Sequence, residues 1–395
     1  MIDYKKYVNS AIDQVAPSGI RQFFDIAASM KDVISLGVGE PDFKTPYAVR
    51  AEAIESIVQG HTQYTANSGM ESLRVAIADY LRTRFNLSYD YKDEILLTIG
   101  ASEAIDLSLR ALLNPGDEVL VPEPSYVSYS PNVIFAGGVP KPIITFAKDG
   151  FKLRPEEVAK AVSNRTKAII LPYPNNPTGA ILDRDTLEAI AEIAIKNDLI
   201  IISDEIYAEL NYSGFKHVAP ASLPEIKERC ITINGFSKAF AMTGWRIGFV
   251  CAPKYFCNLM RKIHQYVIMC APTASQYAAE FALKDGKRNS YSDIEYMKNS
   301  YNQRRRLVYK GLLDMGLECV EPMGAFYIFP SIAKFGVSSF EFCTELIKNK
   351  KVAVVPGTAF GNSGEGHIRI SYATSQDKLL TALDCIDEFI KERFI

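Results

Sequence analysis

Histidine is scarce in this chain of 395 residues. There are four, His61, His217, His264 and His367, and no two stand at a spacing that would grip a metal ion. The seven cysteines run from Cys230 to Cys385, are odd in number and include no Cys-x-x-Cys pair. They read as reduced core residues and not as a disulfide framework. An excess of one charge is missing too: 44 basic residues face 46 acidic ones, and the formal charge is −2. With no basic run, nucleic acid is not an expected partner. No stretch approaches the ~18 uninterrupted apolar residues of a membrane span, and the start, Met1 to Lys6, has no apolar segment behind it. A cytoplasmic location is therefore expected. What the chain does have is 48% hydrophobic and 23% charged residues, enough to bury a large core in two domains.

The most informative stretch is 234–249, in which Lys238 sits among small, hydroxyl and glycine residues between two β-type runs, Cys230 to Asn234 and Ile247 to Cys251. A lysine pinned in such a turn, partly desolvated and close to Arg246, loses proton affinity and becomes a usable amine nucleophile. Ser237 and Arg246 on either side suit a phosphate.

Upstream, short apolar strands alternate with helices, which argues for an α/β domain with a mostly parallel sheet covered on both faces. Ligands in such sheets bind at the carboxyl ends of the strands. Polar groups gather at those ends. Gly100, Ala101 and Ser102 follow the run Glu94 to Ile99, Tyr126 follows Glu118 to Val121, and Asn176 follows Lys167 to Leu171. Asp204 and Tyr207 follow Leu199 to Ser203, and Lys238 follows Ile231 to Asn234. The turn at Gly100 to Ser102, leading into a helix over 103–113, is either an anion site at a helix start or a well-capped helix with Ser102 as its N-cap. A buried aspartate such as Asp204 needs a cationic partner.

Ser237-Lys238 followed by Gly244-Trp245-Arg246-Ile247-Gly248 resembles the lysine signature of the class I and II aminotransferases, the fold type I pyridoxal-phosphate enzymes. The resemblance runs from about Val33 to Arg369 and implies a seven-stranded large domain, a smaller α+β domain and pyridoxal 5'-phosphate as cofactor. It implies that Lys238 bonds the cofactor covalently and later shuttles the α-proton, and that Asp204 holds the pyridine nitrogen protonated. Tyr207 and Asn176 would donate to the phenolic oxygen, Tyr126 would stack on the ring with Ile206 on its other face, and Gly100, Ala101, Ser102, Ser237 and Arg246 would take the phosphate. The family's tyrosine at Tyr64 reaches the phosphate of the neighbouring subunit, so a homodimer with shared active sites is implied. Gly39 would lie near the substrate carboxylate and Arg369 would hold it. Arg369, alone on the apolar strand His367 to Tyr372, otherwise reads as a structural ion pair. Many members carry a serine where this chain has Gly235. The peptide bonds before Pro124 and Pro177 are expected to be cis.

The expected activity is amino transfer between an L-amino acid and a 2-oxo acid, of the aspartate, aromatic or N-acetyl-diaminopimelate type. The alternative is a pyridoxal-phosphate C–S lyase on the same scaffold. A regulator using the fold to bind an effector would need a DNA-binding extension, and residues 1–30 are too short and too little basic for one. The expected division is an N-terminal arm, 1–32, belonging to the small domain, a large domain over 33–285 and a small domain over 286–395. From 287 on, strands are expected at Glu318 to Val320, Val352 to Val355 and His367 to Tyr372, with a last helix over 375–391. Apolar Ile20, Phe23 and Phe24 of the arm call for a surface to cover.

Overall fold

Seven strands form the main sheet, in the order β2-β8-β7-β6-β5-β3-β4. The small β1, Ile34–Ser35, lies outside it; its members are β2 Ile95–Thr98, β3 Glu118–Glu123, β4 Val139–Ile144, β5 Thr166–Leu171, β6 Ile200–Asp204, β7 Cys230–Gly235 and β8 Gly248–Cys251. The computed structural model describes residues 2–20 and 30–395. Every pairing is parallel except those of β8, which runs antiparallel to β2 and β7. The central strands are buried on both faces, as the unbroken apolar runs Ala-Ile-Ile-Leu of β5 and Ile-Ile-Ile of β6 require. Each fully buried Ile or Leu there stabilises the fold by about 1.5–3 kcal/mol.

The sequence reading gave no β4. Its Pro140 and Pro142 cannot donate to a ladder, and the strand survives because it lies at the sheet edge with only β3 beside it. The helix after β2 spans Gly100–Leu112, so Ser102 falls in its first turn and is not the cap. Ile99 is the cap, and the Glu103 carboxylate accepts its N–H.

The C-terminal part forms its own three-stranded sheet, β11-β12-β9, from β9 Tyr327–Ile328, β11 Val355–Pro356 and β12 Ile368–Ser371. Beside it β10, Val352–Ala353, pairs in parallel with β1. No strand forms at Glu318 to Val320; the Glu318 carbonyl instead accepts the Ser331 N–H at 2.7 Å. The last helix, Gln376–Phe394, packs on the helices Ser292–Asp314 and Ser339–Lys350. Phe23 and Phe24 lie outside the described residues.

Candidate active site

The carboxyl ends of β2, β3, β5, β6 and β7 open into a cavity of about 580 Å³, and residues from β9 and β12 close its far side. Lys238 lies three residues beyond β7, and its Nζ donates to the Gly39 carbonyl at 2.6 Å. Burial pulls its pKa down to about 8. Glu40 opposes that shift, and Arg369 and Arg246 reinforce it. The amine is thus near the balance between its charged and nucleophilic forms at neutral pH.

Asp204 ends β6, where the strand delivers its carboxylate to the cavity floor. Burial raises its pKa to about 6, against the pull of two donors: the Tyr129 hydroxyl at 2.8 Å and the Ile206 N–H at 3.2 Å. Neither donor is a cation, so the carboxylate can still take a positive partner from the cavity.

Arg369 on β12 is buried and held on all sides. Its guanidinium lies 4.5 Å from the Tyr327 ring centroid and 4.8 Å from that of Phe360. One Nη donates to Asn176 Oδ1 at 2.9 Å and the other to the Gly37 carbonyl. Its Nε is buried without a partner among the described residues. An Arg with rings on its faces and one unused donor beside a cavity suits a carboxylate; the alternative of a structural ion pair fails, since no acidic residue pairs with it among the described residues.

At the opposite end Arg246 and the start of the Gly100–Leu112 helix come together. Gly100 has φ +69, so the backbone favours glycine there, and a Cβ would lie 2.7 Å from Arg246 Nη2, so the two are close neighbours. Ala101, Ser102, Ser237 and Arg246 all line the cavity at this end, where the helix dipole is positive. Gly235 stands where many family members carry serine. A Cβ there would sit 2.9 Å from Gly248 Cα, because β7 and β8 pass in contact at this point.

Tyr126 and Ile206 line the cavity, and Tyr126 meets Tyr129 edge-on at 5.6 Å. Tyr207 lies beneath Lys238, its hydroxyl 2.8 Å from that of Tyr327. The bonds before Pro124 and Pro177 are cis, as expected, and so is that before Pro174, which was not. Two predicted site residues do not line the cavity: Gly100, next to Ala101, which does, and Tyr64, which is 80% exposed.

The comparisons agree with this geometry. Residues 31–386 match the family model described as aminotransferase class I and II. The chain belongs to the class I and II aminotransferases. It is 48% identical to an aspartate aminotransferase of Pyrococcus abyssi, over 98% of this chain and 99% of the relative. It is 45% identical to aromatic-amino-acid aminotransferase 2 of Thermococcus litoralis, over 98% and 99%. The solved aromatic aminotransferase of Pyrococcus horikoshii OT3 superposes with a TM-score of 0.90 at 46% identity, over 95% of this chain and 99% of that one.

Aminotransferases of this family depend on pyridoxal 5'-phosphate, and the cavity fits it at three points. Lys238 offers an amine for the aldehyde, Asp204 a carboxylate held only by neutral hydrogen-bond donors for the pyridine nitrogen, and the Arg246–Gly100 end a cradle for the phosphate. Sequence reasoning missed Tyr129 and Tyr327. Tyr129 could have been found as the next tyrosine after Tyr126, three residues on; Tyr327 ends the segment Gly324-Ala325-Phe326-Tyr327, which resembles bacterial aminotransferases, and that resemblance did not mark its hydroxyl.

Proposed function

We propose that this cavity transfers an amino group between an L-amino acid and a 2-oxo acid, of the aspartate, aromatic or N-acetyl-diaminopimelate type. The observation that carries the reading is one cavity holding a lysine with a pKa of about 8, a buried carboxylate whose hydrogen-bond donors are neutral and a buried guanidinium whose Nε has no partner among the described residues. When bound, pyridoxal phosphate supplies an electron sink for the negative charge that develops at the substrate α-carbon. Lys238 takes the proton from that carbon and returns it elsewhere, a task suited to an amine that titrates near neutrality. Asp204 holds the pyridine nitrogen protonated, Tyr207 and Asn176 donate to the phenolic oxygen, and Arg369 with the Gly39 main chain orients the substrate carboxylate. Tyr126 and Ile206 pack the ring between them, while Arg246, Ser237, Gly100, Ala101 and Ser102 hold the phosphate.

Further parts of the reading rest on chemistry outside the cavity. The division near residue 285 is supported by the separate seven-stranded and three-stranded sheets. A homodimer in which Tyr64 completes the partner's phosphate site is supported by that tyrosine's exposure and by the exposed Ile54, Ile57 and Val58 of the preceding helix. Among the described residues no helix is long and apolar enough to cross a membrane, which accords with work in the cytoplasm. The test is incubation with single amino acids from a panel that includes aspartate, tyrosine and phenylalanine. A transferase gives one turnover and stops; continuous release of keto acid and ammonia identifies the lyase instead.

A further inference from the structure

Tyr327 stands between the two ends of the cavity. Its ring lies under the Arg369 guanidinium, and its hydroxyl faces that of Tyr207 at 2.8 Å with both side chains buried. The main chain leaves room for this oxygen: a Cβ on Gly39 would come within 2.8 Å of it. The hydroxyl is thus seated between Tyr207 and Gly39, and the ring under Arg369.

A hydroxyl has one proton to give. Of two facing hydroxyls that share one bond, one donates and the other accepts. In the reading above, Tyr207 spends its proton on the phenolic oxygen of the cofactor. It then has none for Tyr327, so Tyr327 must donate to Tyr207. Burial pushes both phenols up and the Arg369 cation draws both back down, so the direction rests on the single proton of Tyr207.

We propose that Tyr327 is a positioning residue for amino transfer, donating to the Tyr207 oxygen so that the Tyr207 hydroxyl must point its own proton at the cofactor's phenolic oxygen. The proposal rests on the donor role of Tyr207 given above. It adds direction and strength, because a hydroxyl that accepts a hydrogen bond becomes a stronger donor in turn.

The variant that tests it is Tyr327→Phe, which keeps the ring that Arg369 rests on and removes only the hydroxyl. The readout is the pH titration of the visible chromophore of the cofactor-loaded protein. A donor to the phenolic oxygen stabilises negative charge there and lowers the proton affinity of the nitrogen that Lys238 contributes beside it. Losing part of that donation should raise the titration midpoint by about 0.5–1 pH unit. In a Tyr207→Phe background the same substitution should add less than a third of that rise, since Tyr327 acts through Tyr207. An unmoved midpoint in Tyr327→Phe, with a native chromophore, overturns the proposal, and so does a full rise that persists without Tyr207. If Tyr207→Phe alone leaves the midpoint unmoved, the parent reading of Tyr207 falls and the proposal falls with it.

Discussion

The Tyr129 hydroxyl donates to the Asp204 carboxylate at 2.8 Å in the buried floor of the cavity. One carboxylate oxygen is thereby fixed, the Ile206 N–H fixes the other, and what is left of its charge faces the cavity. Asp204→Asn should keep the cofactor but lose the ability to hold the pyridine nitrogen protonated. Breaking a buried charge pair costs about 3–5 kcal/mol, so kcat should drop by at least about 100-fold. A near-normal kcat in the variant would assign Asp204 to structure alone.

The same burial has a consequence for the cofactor-free protein. The Asp204 pKa rises from 3.8 unfolded to about 6 folded, so the native state holds more protons through that window and stability falls as pH rises across it. The loss attributable to Asp204 is about 3 kcal/mol at pH 7. Asp204→Asn should flatten the thermal stability of the cofactor-free protein between pH 4 and 7. A slope equal to that of the native chain would assign the titration to other groups.

Lys238→Ala should abolish both the visible absorbance of the lysine-bound cofactor and turnover, since among the described residues no other lysine lines the cavity. In the native chain, capture of the cofactor requires the neutral amine. Its rate should climb with pH and level off above the Lys238 pKa of about 8. A rate still climbing steeply beyond pH 10 would mean that burial does not depress this lysine.

Arg369→Lys retains a positive charge but not the planar fork that Tyr327 and Phe360 enclose. A hydrogen bond to a charged group contributes about 1.5–3 kcal/mol, so the KM for amino acids should rise about 10- to 100-fold while the cofactor stays bound. Equal losses for a donor amine that lacks a carboxylate would show that Arg369 acts elsewhere.

How far the site could be read in advance follows from where each residue's partners lie. Lys238, Asp204 and Arg369 are charges set in or beside apolar strands, and such conflicts are visible without a fold. The arrival of Lys238 and Asp204 at one cavity followed from the alternation of strands and helices, which puts strand ends together, whereas Arg369 reaches it from β12 of the three-stranded sheet, outside that alternation. Tyr129 and Tyr327 carried no such conflict. Each is an aromatic in an aromatic-rich chain, and its meaning comes from a hydroxyl partner 75 or 120 residues away. β4 was illegible for the opposite reason: its two prolines argue against a strand, and only its place at the sheet edge permits one. Ser102 looked like a cap because the turn residues there are right. The helix starts three residues earlier, at Gly100, and Ile99 takes the cap position.

Tyr64 does not line the cavity of its own chain. Its loop is not loose: Thr273 Oγ1 donates to the Gln63 carbonyl at 2.8 Å and Gln276 donates to Thr65 Oγ1 at 2.9 Å. A loop held this firmly presents the Tyr64 ring outward in a fixed place, as contact with a second copy would require. The expected assembly is a homodimer in which each Tyr64 completes the phosphate site of its partner. Subunit complementation checks it. A Tyr64→Phe chain, with weakened cofactor affinity, is mixed and reassembled with an inactive Lys238→Ala chain. In the hybrid dimer the Tyr64→Phe chain keeps its Lys238 and receives an intact Tyr64 from the partner, so that one site has every part. Tight cofactor binding should return in about half of the sites of each hybrid. A mixture that binds as the sum of its two parents would show that Tyr64 serves no neighbouring site.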